Sequence, residues 1–155
     1  MNMLISLWNR ITEFLSGKFV ESIALLFARI ALAYPFWTSG RTKVVDGSLL
    51  SIDETQYFIF QDVFSGLPLS PQIAVPLTVY AEFFFPILLV LGLFTRFSAA
   101  ALFIMTMVIQ IFVFPDAWWT VHIFWAALAA ILMSRGPGLF SADAVLGLVT
   151  KSKAA

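Results

Sequence analysis

The sequence predicts an all-α polytopic membrane protein, an antiparallel four-transmembrane-helix bundle with short interfacial helices. Three observations carry this reading. Of 155 residues, 61% are hydrophobic and 12% charged, where soluble domains carry about 25% charged residues. The apolar residues gather in four runs, 22–40, 73–93, 97–114 and 115–133, each close to the ~20 residues that cross a bilayer at ~1.5 Å per residue. The second to fourth runs are joined by short turns, which forces antiparallel neighbours.

Taken in order, residues 1–17 place Leu4, Trp8, Ile11 and Leu15 on one stripe, the pattern of a helix lying in the membrane interface. Gly17 and Lys18 mark the break before the first span. Ala31-Leu32-Ala33 resembles a signal-peptide cleavage site, but the apolar run continues to Gly40, so this segment is read as a retained helix. The connection 41–72 is too long for plain loop. Within it Ser51 and Glu54 have capping-box spacing, and Tyr57, Phe60 and Phe64 follow at helical intervals until Gly66 and Pro68. A short amphipathic helix on the membrane surface is therefore expected there, acting as a lid on lipid or as a substrate gate. The stretch from Gly92 to Arg96 forms a hairpin. Pro115 and Asp116 open the fourth span, where proline suits a first turn and aspartate the positive end of the dipole. After Gly136-Pro137-Gly138, Ser141 is expected to cap a surface segment running to Thr150, within a tail of 134–155.

Arg10, Lys18, Arg96, Arg135, Lys151 and Lys153 fall on one side of this topology, and only Arg41 and Lys43 on the other. The positive-inside rule then puts both termini in the cytoplasm, as expected of a multi-pass protein of a bacterial inner membrane. Membrane lipid is the first partner implied. Zero net charge without a basic run excludes nucleic acid as a partner. The absence of cysteine removes disulfides, thiol relays, iron–sulfur ligation and covalent haem. One histidine cannot build a multi-histidine metal site, and no second feature supports a His–Met haem. No metal and no intrinsic cofactor is expected, so any redox chemistry would reside on a bound small molecule or a partner.

Three ionisable side chains lie inside the apolar runs: Arg29, Glu82 and His122. A charge at the helix centre costs roughly 3 kcal/mol on insertion scales, so each marks a candidate site. With the spans level at their ends, Arg29 lies about 10 Å and Glu82 about 16 Å from the cytoplasmic face. An ion pair between them is expected, either as part of a site or only fixing helix register. His122 titrates near neutrality and suits proton exchange, the plain alternative being a hydrogen-bonded histidine under an aromatic belt formed by Trp37, Trp118 and Trp119. Lys43, Arg41 and Asp116 are expected to face the same outer vestibule. Gln110 is either a ligand contact or interhelical glue. The seventeen phenylalanines hint at a flat aromatic slot, although most serve lipid contact and packing.

Several segments together resemble the DoxX family of small bacterial membrane proteins. They are Ala28-Arg29, the run from Trp37 to Lys43, Ala81-Glu82, the run from Leu91 to Arg96, His122, and Gly136-Pro137-Gly138 with Ser141 and Asp143. The resemblance covers roughly 22–146. It implies four membrane helices in which Arg29, Gly40, Lys43, Glu82, Gly92, Arg96 and His122 are the recurring polar and glycine positions. Relatives are linked to thiosulfate:quinone oxidoreduction and to membrane redox complexes, and one branch to peptide-modification systems. A quinone-binding oxidoreductase subunit is the leading expectation, with Glu82 and His122 handling protons, Arg29 and Lys43 supplying positive charge, and Gly40, Gly92 and Arg96 as structural positions. A non-catalytic anchor for a soluble or secreted partner is the second. Transport of a small solute is the third, and would call for a homo-oligomer because four helices make a thin pathway.

Overall fold

In the computed structural model, which describes residues 2–147, a turn at Ser16-Gly17 separates α1 (Asn2–Leu15) from α2 (Lys18–Arg41). Lys151, Lys153 and the predicted segment end at Thr150 lie outside the described residues. The stripe of Leu4, Trp8, Ile11 and Leu15 is exposed on α1, an apolar face suited to the headgroup boundary. Next come α3 (Thr55–Asp62), α4 (Pro71–Leu91) and α5 (Thr95–Phe112). A 3₁₀ turn (Pro115–Ala117) and a π-helical turn (Trp118–His122) then lead into α6 (Ile123–Arg135), followed by the short α7 (Ala142–Val145).

Among the described residues, four segments are long and apolar enough to span a membrane: α2, α4, α5 and Pro115–Arg135. They alternate in direction, so α1, the turn between α4 and α5, and α7 share one face, the hairpin side, while α3 lies on the other, the loop side. Helix α2 packs chiefly on α4 and α5 chiefly on α6, with a thinner α4–α5 seam. Phe27, Tyr34, Phe97 and Ile104 point outward, as expected where lipid replaces water around the bundle. Leu25, Leu32, Leu89, Leu102 and Leu132 fill the half nearer the hairpin side. A second cluster of Phe60, Val75, Val79 and Phe83 ties α3 to α4.

Helix α3 forms where expected, but its start differs. Ser51 is in extended backbone, its carbonyl accepting from Val45 N at 2.9 Å beside a Val44–Ile52 bridge, so no capping box closes. Asp53 caps instead: Oδ1 accepts from Thr55 N at 2.9 Å and Thr55 Oγ1 at 2.7 Å. The Thr55 hydroxyl and then the Thr55 amide hold the Asp53 carboxyl below its ordinary pKa. A carboxyl depressed in the folded state favours the fold above its unfolded pKa, and that contribution is lost as pH falls through the folded value. Thr55→Val should move the Asp53 pKa upward in a carboxyl NMR titration. An unmoved value would refute the bond. Nor does α3 simply rest on lipid: Phe60 is buried against α4, seating the helix on the bundle.

The hairpin side is closed by a strap, 136–146, expected as a surface segment but partly buried. Leu139 N donates to Ser22 Oγ at 2.9 Å, and Asp143 N to Gly92 O at 2.9 Å. Ser141 caps α7 by accepting from Ala144 N at 3.1 Å. The Asp143 carboxylate accepts from Phe94 N at 2.8 Å and Thr95 N at 2.9 Å, capping α5 at the positive end of its dipole. That cap holds Phe94 at φ 47°, a conformation a bulky residue rarely adopts.

Gly92 carries two requirements. It ends α4 at φ +69°, and a Cβ there would meet Arg29 Nη1 and stand 2.5 Å from Ser141 Cβ. Gly92→Ala should therefore lose more than the ~1–2 kcal/mol of the left-handed conformation alone. Denaturant unfolding in detergent measures it, and a loss under about 0.5 kcal/mol would contradict the packing.

Candidate functional site

The α2–α4 register determines which buried charges meet. Gly40 lets the helices approach closely: a Cβ there would stand 3.1 Å from Glu82 Cβ and 3.4 Å from Glu82 O. This places Glu82 at the loop-side end of α2, while Arg29 lies beside Gly92 at the end of α4. The expected Arg29–Glu82 pair does not form. Its premise, spans level at the hairpin side, fails because α2 extends about three turns beyond α4, and the strap fills that step.

Arg29 spends its guanidinium on backbone. Nη1 donates to Val90 O at 3.3 Å and Nη2 to Phe140 O, with the Asp143 charge nearby. It is a brace between α2, the end of α4 and the strap, and does not line the cavity described below. Gly92 completes that joint. The expected role of Arg29 as a ligand-facing positive charge is thereby corrected.

Glu82 pairs with Lys43, Nζ to Oε2 at 2.8 Å, with side chains 3% and 9% exposed. Lys43 Nζ also donates to Ser39 O at 3.2 Å and Ser39 Oγ at 2.6 Å, and the Ser39 hydroxyl reaches the Glu82 carboxylate. Ser39 was missed as a site residue, although its i,i+4 spacing to Lys43 was a usable signal. Arg41 turns away to donate to Ser48 O at 2.6 Å, and Asp116 is exposed, so neither joins the site.

His122 ends the π-helical turn and is buried. Its Nδ1 meets Gln110 Oε1 at 2.7 Å, and Gln110 Nε2 donates to Pro115 O at 2.6 Å. Gln110 thus connects α5 to the fourth span behind the histidine. Single π-helical turns of this kind are frequent at functional positions.

Lys43, Glu82 and His122 line one cavity of about 350 Å³ between α2, α4, α5 and α6. Its walls include Phe36, Phe60, Phe64, Phe114 and Trp125. Trp125 packs against both Phe36 and His122 at ring separations of 5.3 Å, and Phe60 stacks on Phe64 at 4.4 Å. The lining residues Leu77 on α4 and Ile104 on α5 also belong to the outer surface. The lining is therefore exposed along the thin α4–α5 seam, and also at the loop side through Leu69 and Phe114. Toward the hairpin side it ends on the leucine core. Pro35 and Pro86 stand at the same level of α2 and α4, each withholding an amide from the helix ladder. Among the described residues, no cluster of side chains fits a metal ion. Arg96 is exposed beside Gly136, away from the cavity, a structural position at most.

Four membrane-length helices around a polar-ended cavity define a multi-pass helical membrane protein with a candidate ligand site at membrane depth. The chain belongs to the DoxX family, whose model (DoxX) matches residues 24–123 and so includes Arg29, Lys43, Glu82, Gln110 and His122. No curated protein and no solved structure gives a significant match. The strap residues Ser141 and Asp143 lie beyond the matched segment.

Proposed function

We propose that the protein is a membrane subunit of an oxidoreductase system, binding a quinone-like molecule in the cavity between the four spans. The supporting observation is the cavity itself: an aromatic slot, open to lipid, with Glu82, Lys43 and His122 in its wall. Its volume is at the small end of the ~300–1,000 Å³ typical of ligand pockets. That suits a substituted ring whose apolar tail stays in the bilayer along the exposed α4–α5 seam. A bound quinone-like molecule would supply the electron-carrying ring. The chain would supply the aromatic faces that orient it, the His122 imidazole as a proton-exchanging group, and the Glu82 carboxylate held by Lys43 and Ser39.

Lys43 is buried, leaving the half-buried Arg41 as the remaining base on the loop side, against the exposed Arg10, Lys18, Arg96 and Arg135 on the hairpin side. This charge asymmetry supports an inner-membrane orientation with the hairpin side cytoplasmic. The cavity then faces the outer half of the bilayer, and the leucine core separates it from the cytoplasm. Proteins of a redox or peptide-modification system are the partners this reading implies.

The test is mass spectrometry of small molecules retained in native lipid discs, comparing wild type with His122→Ala. Quinone enriched over bulk lipid in wild type and depleted in the variant is expected. Quinone at bulk level in both rejects the reading in favour of an anchor for a protein partner.

A further inference from the structure

The hydrogen-bond polarity of the cavity wall selects a redox form of the ligand, given the reading above. Gln110 sits between two partners. Pro115 O is a backbone carbonyl and can only accept, so the Gln110 amide must turn its NH₂ toward it, at 2.6 Å. That leaves Gln110 Oε1, an acceptor, facing His122 Nδ1 at 2.7 Å. Nδ1 must then carry the proton, and the neutral imidazole has its lone pair on Nε2. Nε2 bonds to no described residue, and it is not among the buried side-chain atoms lacking a partner. With His122 in the cavity wall, that lone pair is offered to the ligand.

The rest of the ionisable wall has the same polarity. All three Lys43 ammonium protons are committed, to Ser39 O, Ser39 Oγ and Glu82 Oε2. The Glu82 carboxylate is acceptor-only. Trp125 adds one indole N–H to the lining and Thr78 a hydroxyl of either role. A ring carbonyl facing His122 would set lone pair against lone pair, whereas a ring hydroxyl donates to Nε2.

We propose that the site takes the hydroxyl-bearing, reduced form of its aromatic ligand, a quinol, in preference to the quinone, with Gln110 as the positioning residue that presets His122 as acceptor.

The chain holds one histidine, so ¹⁵N-histidine labelling reads this site alone. In lipid discs under anaerobic conditions, neutral wild type should show Nδ1 protonated and Nε2 bare. Gln110→Leu should spread the proton over both nitrogens. Three probes of one shape complete the test: tetramethylhydroquinone, tetramethylbenzoquinone and the hydroquinone's dimethyl ether. The hydroquinone should shift Nε2 and bind about tenfold or more tighter than the other two, since a site built to bond a hydroxyl rejects analogues lacking it. That preference should shrink in Gln110→Leu. A protonated Nε2 in wild type, or quinone binding as tight as hydroquinone, overturns the proposal while the cavity reading survives. Wild type binding none of the three overturns both.

Discussion

Arg29→Met should destabilise the protein by about 3–5 kcal/mol, the range for removing one partner from a buried charge network. The side chain is fully enclosed and joins three elements: α2, the end of α4 at Val90, and the strap at Phe140. Its loss leaves two carbonyls without their donor and the Asp143 charge without its neighbour. Arg29→Lys should recover only part, because an ammonium cannot reproduce the planar fork that serves both carbonyls. Denaturant unfolding in detergent measures the loss, and a cost under about 1 kcal/mol would refute the brace. A double-mutant cycle with Glu82→Gln should be additive within about 0.5 kcal/mol, because the two sites share no partner. Strong coupling would instead restore the direct pair that the sequence suggested.

Glu82→Gln should also cost about 3–5 kcal/mol, because Lys43 would remain buried without its counter-charge. The double substitution Lys43→Met with Glu82→Leu removes both charges and their desolvation together. It should unfold near the wild-type midpoint, since apolar replacement of a buried pair is often neutral or stabilising. The same protein should lose quinone enrichment in lipid discs, because the slot then ends in hydrocarbon. Stability recovered and ligand lost identifies the pair as part of a binding site. Stability recovered with ligand retained would reduce it to a register device and leave the site to His122.

The residues announced their depth well and their partners poorly. Arg29, Glu82 and His122 stood out because polar groups are rare in apolar runs, and all three are buried. Pairing Arg29 with Glu82 failed because hydropathy locates a span without fixing its stagger. Here that stagger depends on Gly40 letting α4 close on α2, and on the strap filling the step beneath α4. Lys43 looked like a loop charge one turn beyond the span, yet folds back onto Glu82 through its own i,i+4 contact with Ser39. Gln110 was marked as ligand or glue, and its bonds to His122 and Pro115 make it a connector between helices. Asp143 entered only through family resemblance, since its bonds to Phe94 and Thr95 span nearly fifty positions of chain.

By itself the sequence determined the class. Four apolar runs of bilayer length, separated by glycine and proline turns, leave a helical multi-pass bundle as the economical way to satisfy every backbone group in lipid. It also determined the family, through polar and glycine positions spread across the spans. Tertiary structure decided which of those positions act together. Whether two charges on different helices meet depends on stagger, rotation and closeness of approach. These are set by packing at Gly40 and Gly92 and by the docked strap, contacts between residues far apart in the chain.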